Sequence, residues 1–327
     1  MPDNEYIYEV EGLKTYFPVK SNKLIDREHL SVKAVDGVSL KIRPGEIVGI
    51  VGESGCGKST LGRTMIRLLE PTEGTLKFEG KDITHLDRNA LRPIRKDIQI
   101  MFQDPYASLD PRMTVGNIIA EPMDHMKTYS SQKERLARIV ELMEDCGINK
   151  AFINRYPHEF SGGQRQRIGI ARALSVNPKF IICDEPVSAL DVSIQSQVLN
   201  LLVELRKKYN LTMMFISHDL GVVEYISDRV AIMYLGHIVE LADTETVFRN
   251  PLHPYTKALL ASIPQISQKQ MLQNSALEGD IPSPIKPPSG CTFHTRCEFA
   301  TEECAKNVPH LCEVEPGHFV SCLLRQQ

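Results

Sequence analysis

One stretch of the chain carries legible chemistry at first sight. Gly52-Glu53-Ser54-Gly55-Cys56-Gly57-Lys58-Ser59-Thr60 fits the phosphate-binding pattern G-x-x-x-x-G-K-S/T. The glycines let backbone N–H groups turn inward and cradle a phosphate. The helix that follows presents its N-terminus to the anion. Lys58 is expected to reach the β- and γ-phosphates, and the Ser59 hydroxyl to bind Mg²⁺. A second site is Phe180-Ile181-Ile182-Cys183-Asp184-Glu185, an apolar run ending in two acids. Acids at the carboxyl end of a parallel strand face the ligand crevice. Asp184 is placed to hold Mg²⁺, and Glu185 to act as general base on an attacking water. A plainer alternative is an acid pair stabilised by a helix dipole.

These residues need elements to hold them. Glu46–Val51 reads as a buried strand entering the phosphate loop, and Thr60–Leu69 as the helix leaving it, with Leu61, Met65, Leu68 and Leu69 on one face. Phe180–Cys183 and Leu211–Ile216 read as further buried strands. Ile194, Val198, Leu201, Leu202 and Leu205 mark a helix between them, and Leu136, Ile139, Val140 and Met143 another. Alternating strands and helices predict an α/β fold with a mostly parallel sheet covered on both faces. Residues 110–165 are helical in pattern and read as an insertion.

Composition narrows the class. The 327 residues carry 38 Lys and Arg against 41 Asp and Glu, a net charge of −3, which argues against a strongly basic nucleic-acid binder. With 42% hydrophobic and 24% charged residues, wholesale disorder is excluded. No apolar run is long enough to span a bilayer. The polar, acidic start Met1-Pro2-Asp3-Asn4-Glu5 predicts no signal peptide and a cytosolic setting. Cysteines would then be reduced, and clustered ones would point to metal.

Taken together, the motifs resemble the nucleotide-binding subunit of an ABC (ATP-binding cassette) transporter. Ser161-Gly162-Gly163-Gln164-Arg165 matches that family's signature. The resemblance implies that Ser161, Gly162, Gly163 and Gln164 act in trans, on the γ-phosphate held by another subunit. It also implies that Gln103 touches Mg²⁺ and water, that Asp191 makes a dimer contact, and that His218 contacts the γ-phosphate. Tyr16 and Phe17 are the candidates for stacking on adenine, with Phe17 favoured. Residues 18–31 look like an insertion relative to shorter members. The expected fold is a P-loop ABC-type nucleotide-binding domain over 1–250, its helical subdomain at about 104–165, with a small Cys-rich C-terminal domain over 251–327.

The tail narrows the resemblance. His253-Pro254-Tyr255-Thr256, Pro282-Ser283-Pro284, Pro288-Ser289-Gly290-Cys291 and Arg296-Cys297 resemble the tail of oligopeptide and dipeptide importer ATPases. Asp104-Pro105-Tyr106-Ala107-Ser108-Leu109-Asp110 and Met233-Tyr234-Leu235-Gly236 look like the second, "F", ATPase of such a system. Cys291, Cys297, Cys304 and Cys322 offer four thiolates, suited to Zn²⁺ or an iron–sulfur cluster. Close C-x₂₋₄-C pairs are missing, and wider spacing suits a cubane. The family pattern also points to a 4Fe-4S cluster, with Cys312 left over. Zinc and unliganded thiols stay open.

The function implied is ATP hydrolysis that powers peptide import. ATP and Mg²⁺ are the expected ligands. The expected partners are a second, homologous ATPase subunit, two transmembrane permease subunits and, indirectly, an extracellular peptide-binding protein, with no nucleic acid. The expected location is peripheral, on the cytoplasmic face of the membrane. Two rivals are a cassette ATPase acting on ribosomes or DNA, and a metal-sensing or electron-transfer protein. The single phosphate loop, the lack of heptad runs and the net charge of −3 weigh against the first.

Overall fold

The computed structural model describes residues 5–19, 30–104, 106–262 and 279–326. Most of the expected insertion at 18–31, and Pro105 of the 104–110 motif, lie outside them.

The chain opens with β1 (Tyr8–Pro18), β2 (Ser31–Ile42) and β3 (Ile47–Val51), then α1 (Lys58–Met65), β4 (Glu73–Phe78) and β5 (Lys81–Asp82). There follow α2 (Arg88–Asp97), β6 (Ile98–Met101), α3 (Val115–Met126), α4 (Gln132–Asp145), α5 (Gly162–Leu174), β7 (Phe180–Asp184) and α6 (Val192–Tyr209). The rest is β8 (Thr212–Ser217), α7 (Leu220–Ile226), β9 (Arg229–Tyr234), β10 (His237–Asp243), α8 (Thr244–Arg249), α9 (Pro254–Ala261), α10 (Glu302–Lys306), β11 (Cys312–Glu315) and β12 (His318–Val320).

Two compact units result: Met1–Ile42, Val48–Thr84 and Ser217–Gln327 form one, Arg43–Ile47 and His85–Ile216 the other. The residues after 250 therefore do not separate as a unit of their own. β12 pairs antiparallel with β10, across the expected boundary, and covers an edge that would otherwise stay open.

The second unit matches the expected architecture. β6, β7 and β8 are parallel neighbours, and every residue of β7 and β8 is buried. Strands buried on both faces read as unbroken apolar runs, which is why they are legible in sequence. α4 buries Ile139, Leu142 and Met143, whereas Leu136, expected on that face, is exposed.

The first unit departs from it. β3 runs parallel to β9, but β9–β10–β12–β11 and β2–β1–β4–β5 are antiparallel. The sequence reading missed β1 because its pattern changes phase. Tyr8 and Val10 face inward, then Leu13 and Thr15, with a register shift between Val10 and Leu13. A bulge there moves the buried set from even to odd positions. The helix after the phosphate loop is shorter than expected. It ends at Met65, and Arg67 takes a φ of 55°, which leaves Leu68 exposed.

Candidate active site

β3 delivers the chain to the phosphate loop, and α1 begins at Lys58. Gly57, the residue before α1, has φ 106°, a conformation that favours glycine. A Cβ there would sit 1.9 Å from the Ala34 carbonyl oxygen, so β2 passes directly against the loop. The Gly236 N–H donates to the Cys56 carbonyl at 2.9 Å, tying the loop to the β9–β10 turn. Lys58 is buried, and its Nζ donates to the carbonyls of Gly52 at 2.7 Å and Glu53 at 3.0 Å. Ser54 and Gly55 are exposed, whereas Ser59 and Thr60 are half-buried at the start of α1. Burial raises the Cys56 thiol above its usual range against the pull of Lys58, which keeps it a packing group.

In the same unit, Phe17 is exposed on β1, whereas the Tyr16 hydroxyl donates to Asp36 and Lys33 Nζ lies 5.8 Å from its ring. Phe17 thus has the more accessible ring face of the two. His218 is exposed just past β8.

The acids lie in the other unit. Asp184 ends β7 fully buried. Burial pushes the neighbouring Cys183 thiol up to about 12, with the Asp184 charge adding to it, so it stays protonated. Glu185 takes φ 48°, an uncommon conformation for a side-chain-bearing residue. Its N–H donates to the Ile216 carbonyl at 3.0 Å, and the Gln103 amide donates to its carboxylate at 2.9 Å. β6 and β7 pair through Met101 and Cys183, so Gln103 and Glu185 leave neighbouring strand ends together.

The signature residues open α5. Ser161 Oγ accepts from the Gln164 N–H at 3.4 Å, and Gln164 Oε1 accepts from the Ser161 N–H at 3.0 Å, a reciprocal capping box. Gln164 therefore shapes the helix start. Gly163 is buried, and a Cβ on it would fall 2.4 Å from Ile194 Cγ2, so only glycine lets α6 approach this closely. Ser161 and Gln164 are exposed. Asp191, at the start of α6, is also exposed, beside Val192 with 79% of its surface open. One contact had no signal in the sequence reading. The Arg165 guanidinium stacks 3.8 Å from the Tyr106 ring, linking the segment after Gln103 to the signature helix.

In the tail, the Cys291 N–H donates to the Cys304 carbonyl at 2.7 Å. Burial pushes the Cys291 thiol up to about 11, and Cys322, Cys304 and Cys297 push it the same way. Burial also raises Cys297 and Cys322, and Cys304 adds to each. Cys312 Sγ lies 3.7 Å from the Val320 carbonyl oxygen. The four expected ligands thus share one neighbourhood. Among the described residues, however, no three His, Cys, Asp or Glu side chains converge tightly enough to hold a metal ion, so the expected cluster has no assembled cage. No described helix is long and apolar enough to cross a membrane.

Comparison with known proteins fits this geometry. Residues 35–188 match the ABC transporter family, and residues 239–304 match the oligopeptide/dipeptide transporter C-terminal region. The chain is 54% identical over 325 residues to the oligopeptide transport ATP-binding protein AppF of Bacillus subtilis, covering 98% of both. It is 52% identical to OppF, the oligopeptide transport ATP-binding protein of Escherichia coli, covering 97% of this chain and 96% of that one. Among solved structures, it resembles cbiO1 from Clostridium perfringens, part of the ABC transporter complex cbiONQ, with a TM-score of 0.65 at 29% identity over 76% of this chain and 92% of that one. The ATP-binding cassette MJ0796, a dimer bound to ADP and Pi, matches with a TM-score of 0.64 at 29% identity over 72% of this chain and 98% of that one. With near-complete coverage by such relatives, the chain belongs to the oligopeptide and dipeptide import ATP-binding subunits of the ABC transporter family.

Proposed function

We propose that Glu185 is the general base for ATP hydrolysis and that Gln103 orients it. The observation that carries this reading is the 2.9 Å hydrogen bond between the two. Gly52–Thr60 cradles the phosphates, with Lys58 leaving its own loop carbonyls for the β- and γ-phosphates. Ser59, Gln103 and Asp184 offer the hard oxygen donors that Mg²⁺ prefers, and the bound ion would neutralise triphosphate charge. His218 contacts the γ-phosphate, and Phe17, rather than Tyr16, stacks on adenine.

The chain pairs head to tail with a second ATPase subunit, whose site its Ser161–Gln164 signature completes. Exposure of Ser161, Gln164, Asp191 and Val192 supports this face as the dimer surface. Closure and reopening of that pair drive two permease subunits, with the chain held peripherally at the cytoplasmic face. The test is peptide uptake by the reconstituted transporter. Uptake should require ATP and this subunit, and should vanish with Glu185→Gln. Undiminished uptake in that variant rejects the reading.

For the tail, we infer a cluster-type donor set rather than a single-ion site. The support is the spacing of Cys291, Cys297, Cys304 and Cys322, which lacks the close cysteine pairs usual in structural zinc sites. Its role would be to order residues around 290–322. Anaerobically purified protein should contain about four irons per chain, lost in Cys304→Ser and kept in Cys312→Ser. One zinc, or no metal, rejects the cluster.

A further inference from the structure

The tail grips the phosphate loop. Arg296 and Glu53 are 243 residues apart, yet Arg296 Nη1 donates to Glu53 Oε2 at 2.8 Å and Nη2 donates to Oε1 at 3.1 Å. Only 4% of the arginine side chain and 22% of the glutamate side chain are exposed. This fork-on-carboxylate geometry is the strong, directional form of an ion pair, and it is partly withdrawn from solvent. A second contact holds the backbone of the same residue. The Glu53 N–H donates to the Tyr255 hydroxyl at 3.0 Å.

Both gripping residues are themselves fixed. Tyr255 is fully buried, with ring centroids 4.7 Å from Tyr234 and 5.3 Å from Phe293. Phe293 stands edge-on to Tyr234 at 5.2 Å, three residues before Arg296, whose guanidinium lies 5.9 Å from the Tyr234 ring. Arg296 therefore rises from a packed aromatic base.

Two consequences follow for the loop. Lys58 is parked on the carbonyls of Gly52 and Glu53, so the position of Glu53 sets where that lysine waits. A carboxylate inside a loop that must receive a polyphosphate also repels it, and Arg296 cancels that charge. We propose that Arg296 is a positioning residue for nucleotide binding, acting through Glu53, with Tyr255 as its backbone counterpart. This rests on reading Gly52–Ser59 as the phosphate loop.

The test is titration of the full-length chain with a fluorescent ATP analogue, with the KM for ATP measured in the assembled transporter. Arg296→Gln should weaken nucleotide binding about tenfold, the scale of one charge-assisted contact. KM should rise with little change in kcat, because the residues of the chemical step are untouched. Arg296→Lys, which keeps the charge and loses the fork, should recover part of the loss. Adding Glu53→Gln to Arg296→Gln should restore affinity by removing the uncancelled carboxylate. Unchanged affinity in Arg296→Gln overturns the proposal, as does an equal loss with and without Glu53→Gln. If Arg296→Gln does not fold, Arg296→Lys and Tyr255→Phe carry the test, and unchanged affinity in both overturns it. Lys58→Ala separates the two layers. If it abolishes binding while Arg296→Gln does nothing, only the clamp fails. If it too leaves binding unchanged, the phosphate-loop reading itself fails.

Discussion

The Gln103 amide holds the Glu185 carboxylate at 2.9 Å, across the ends of two parallel strands. Glu185 sits at φ 48°, a conformation that costs on the order of 1–3 kcal/mol and persists only where its surroundings enforce it. Here the Ile216 carbonyl takes its N–H, and the Ser188 hydroxyl donates to its carbonyl at 3.1 Å. These contacts fix the backbone and hold the side chain, as the general-base role proposed above requires.

Glu185→Gln keeps the shape and removes the basic oxygen. ATP binding should be retained, while turnover falls by about 10²–10⁴-fold. Single-turnover hydrolysis in a complex whose other site is silenced measures this directly. Near-normal turnover there would remove Glu185 from its role.

Gly163→Ala places a methyl 2.4 Å from Ile194 Cγ2, where α5 meets α6. Overpacking of this kind costs about 1–3 kcal/mol. The melting temperature should fall, and adding Ile194→Ala should recover part of it. Equal melting temperatures for the wild type and Gly163→Ala would mean that this glycine is not there for packing.

Ser161→Arg fills the start of α5 with a bulky cation at the positive end of the helix. Nucleotide binding at the subunit's own loop should survive, whereas ATP-dependent dimerisation should be lost. Ser161→Ala is the control for the lost cap, worth about 1 kcal/mol. Size-exclusion chromatography with ATP, in the Glu185→Gln background, reads the outcome. Lost binding with dimerisation intact would contradict signature action in trans.

His253 caps α9 with Nδ1, which accepts the Tyr255 N–H at 3.1 Å. It is buried, and burial pushes its pKa down to about 3. The unfolded chain takes up this proton as pH falls below about 6.5, and the native chain does not. The stabilisation is therefore present above pH 6.5 and is lost as pH falls toward 3. His253→Asn keeps a capping oxygen and cannot titrate. Its stability should depend less on pH across this window, by up to about 1.4 kcal/mol per pH unit. The Glu240–His318 contact at 2.7 Å nearby is common to both proteins, so the difference between them isolates His253. Parallel curves from urea unfolding between pH 7.5 and 4 would refute this.

The sequence by itself determined the local structure on which the proposed chemistry rests. Gly52–Ser59, the strand ending in Asp184-Glu185 and the Ser161–Gln164 helix start were legible because each depends on near neighbours: a glycine at a tight turn, an unbroken apolar run, a cap and its partner three residues on. Family resemblance assigned Gln103 and His218, which no local pattern marks.

Tertiary structure alone decided the rest. The bulge in β1 shifts which residues face inward, so alternation in sequence misreports that strand. A small Cys-rich domain is expected over residues 251–327. β12 instead joins β10, and Arg296 reaches Glu53. Contacts between residues 243 apart arise from how the chain returns on itself, and no periodicity or spacing encodes that return.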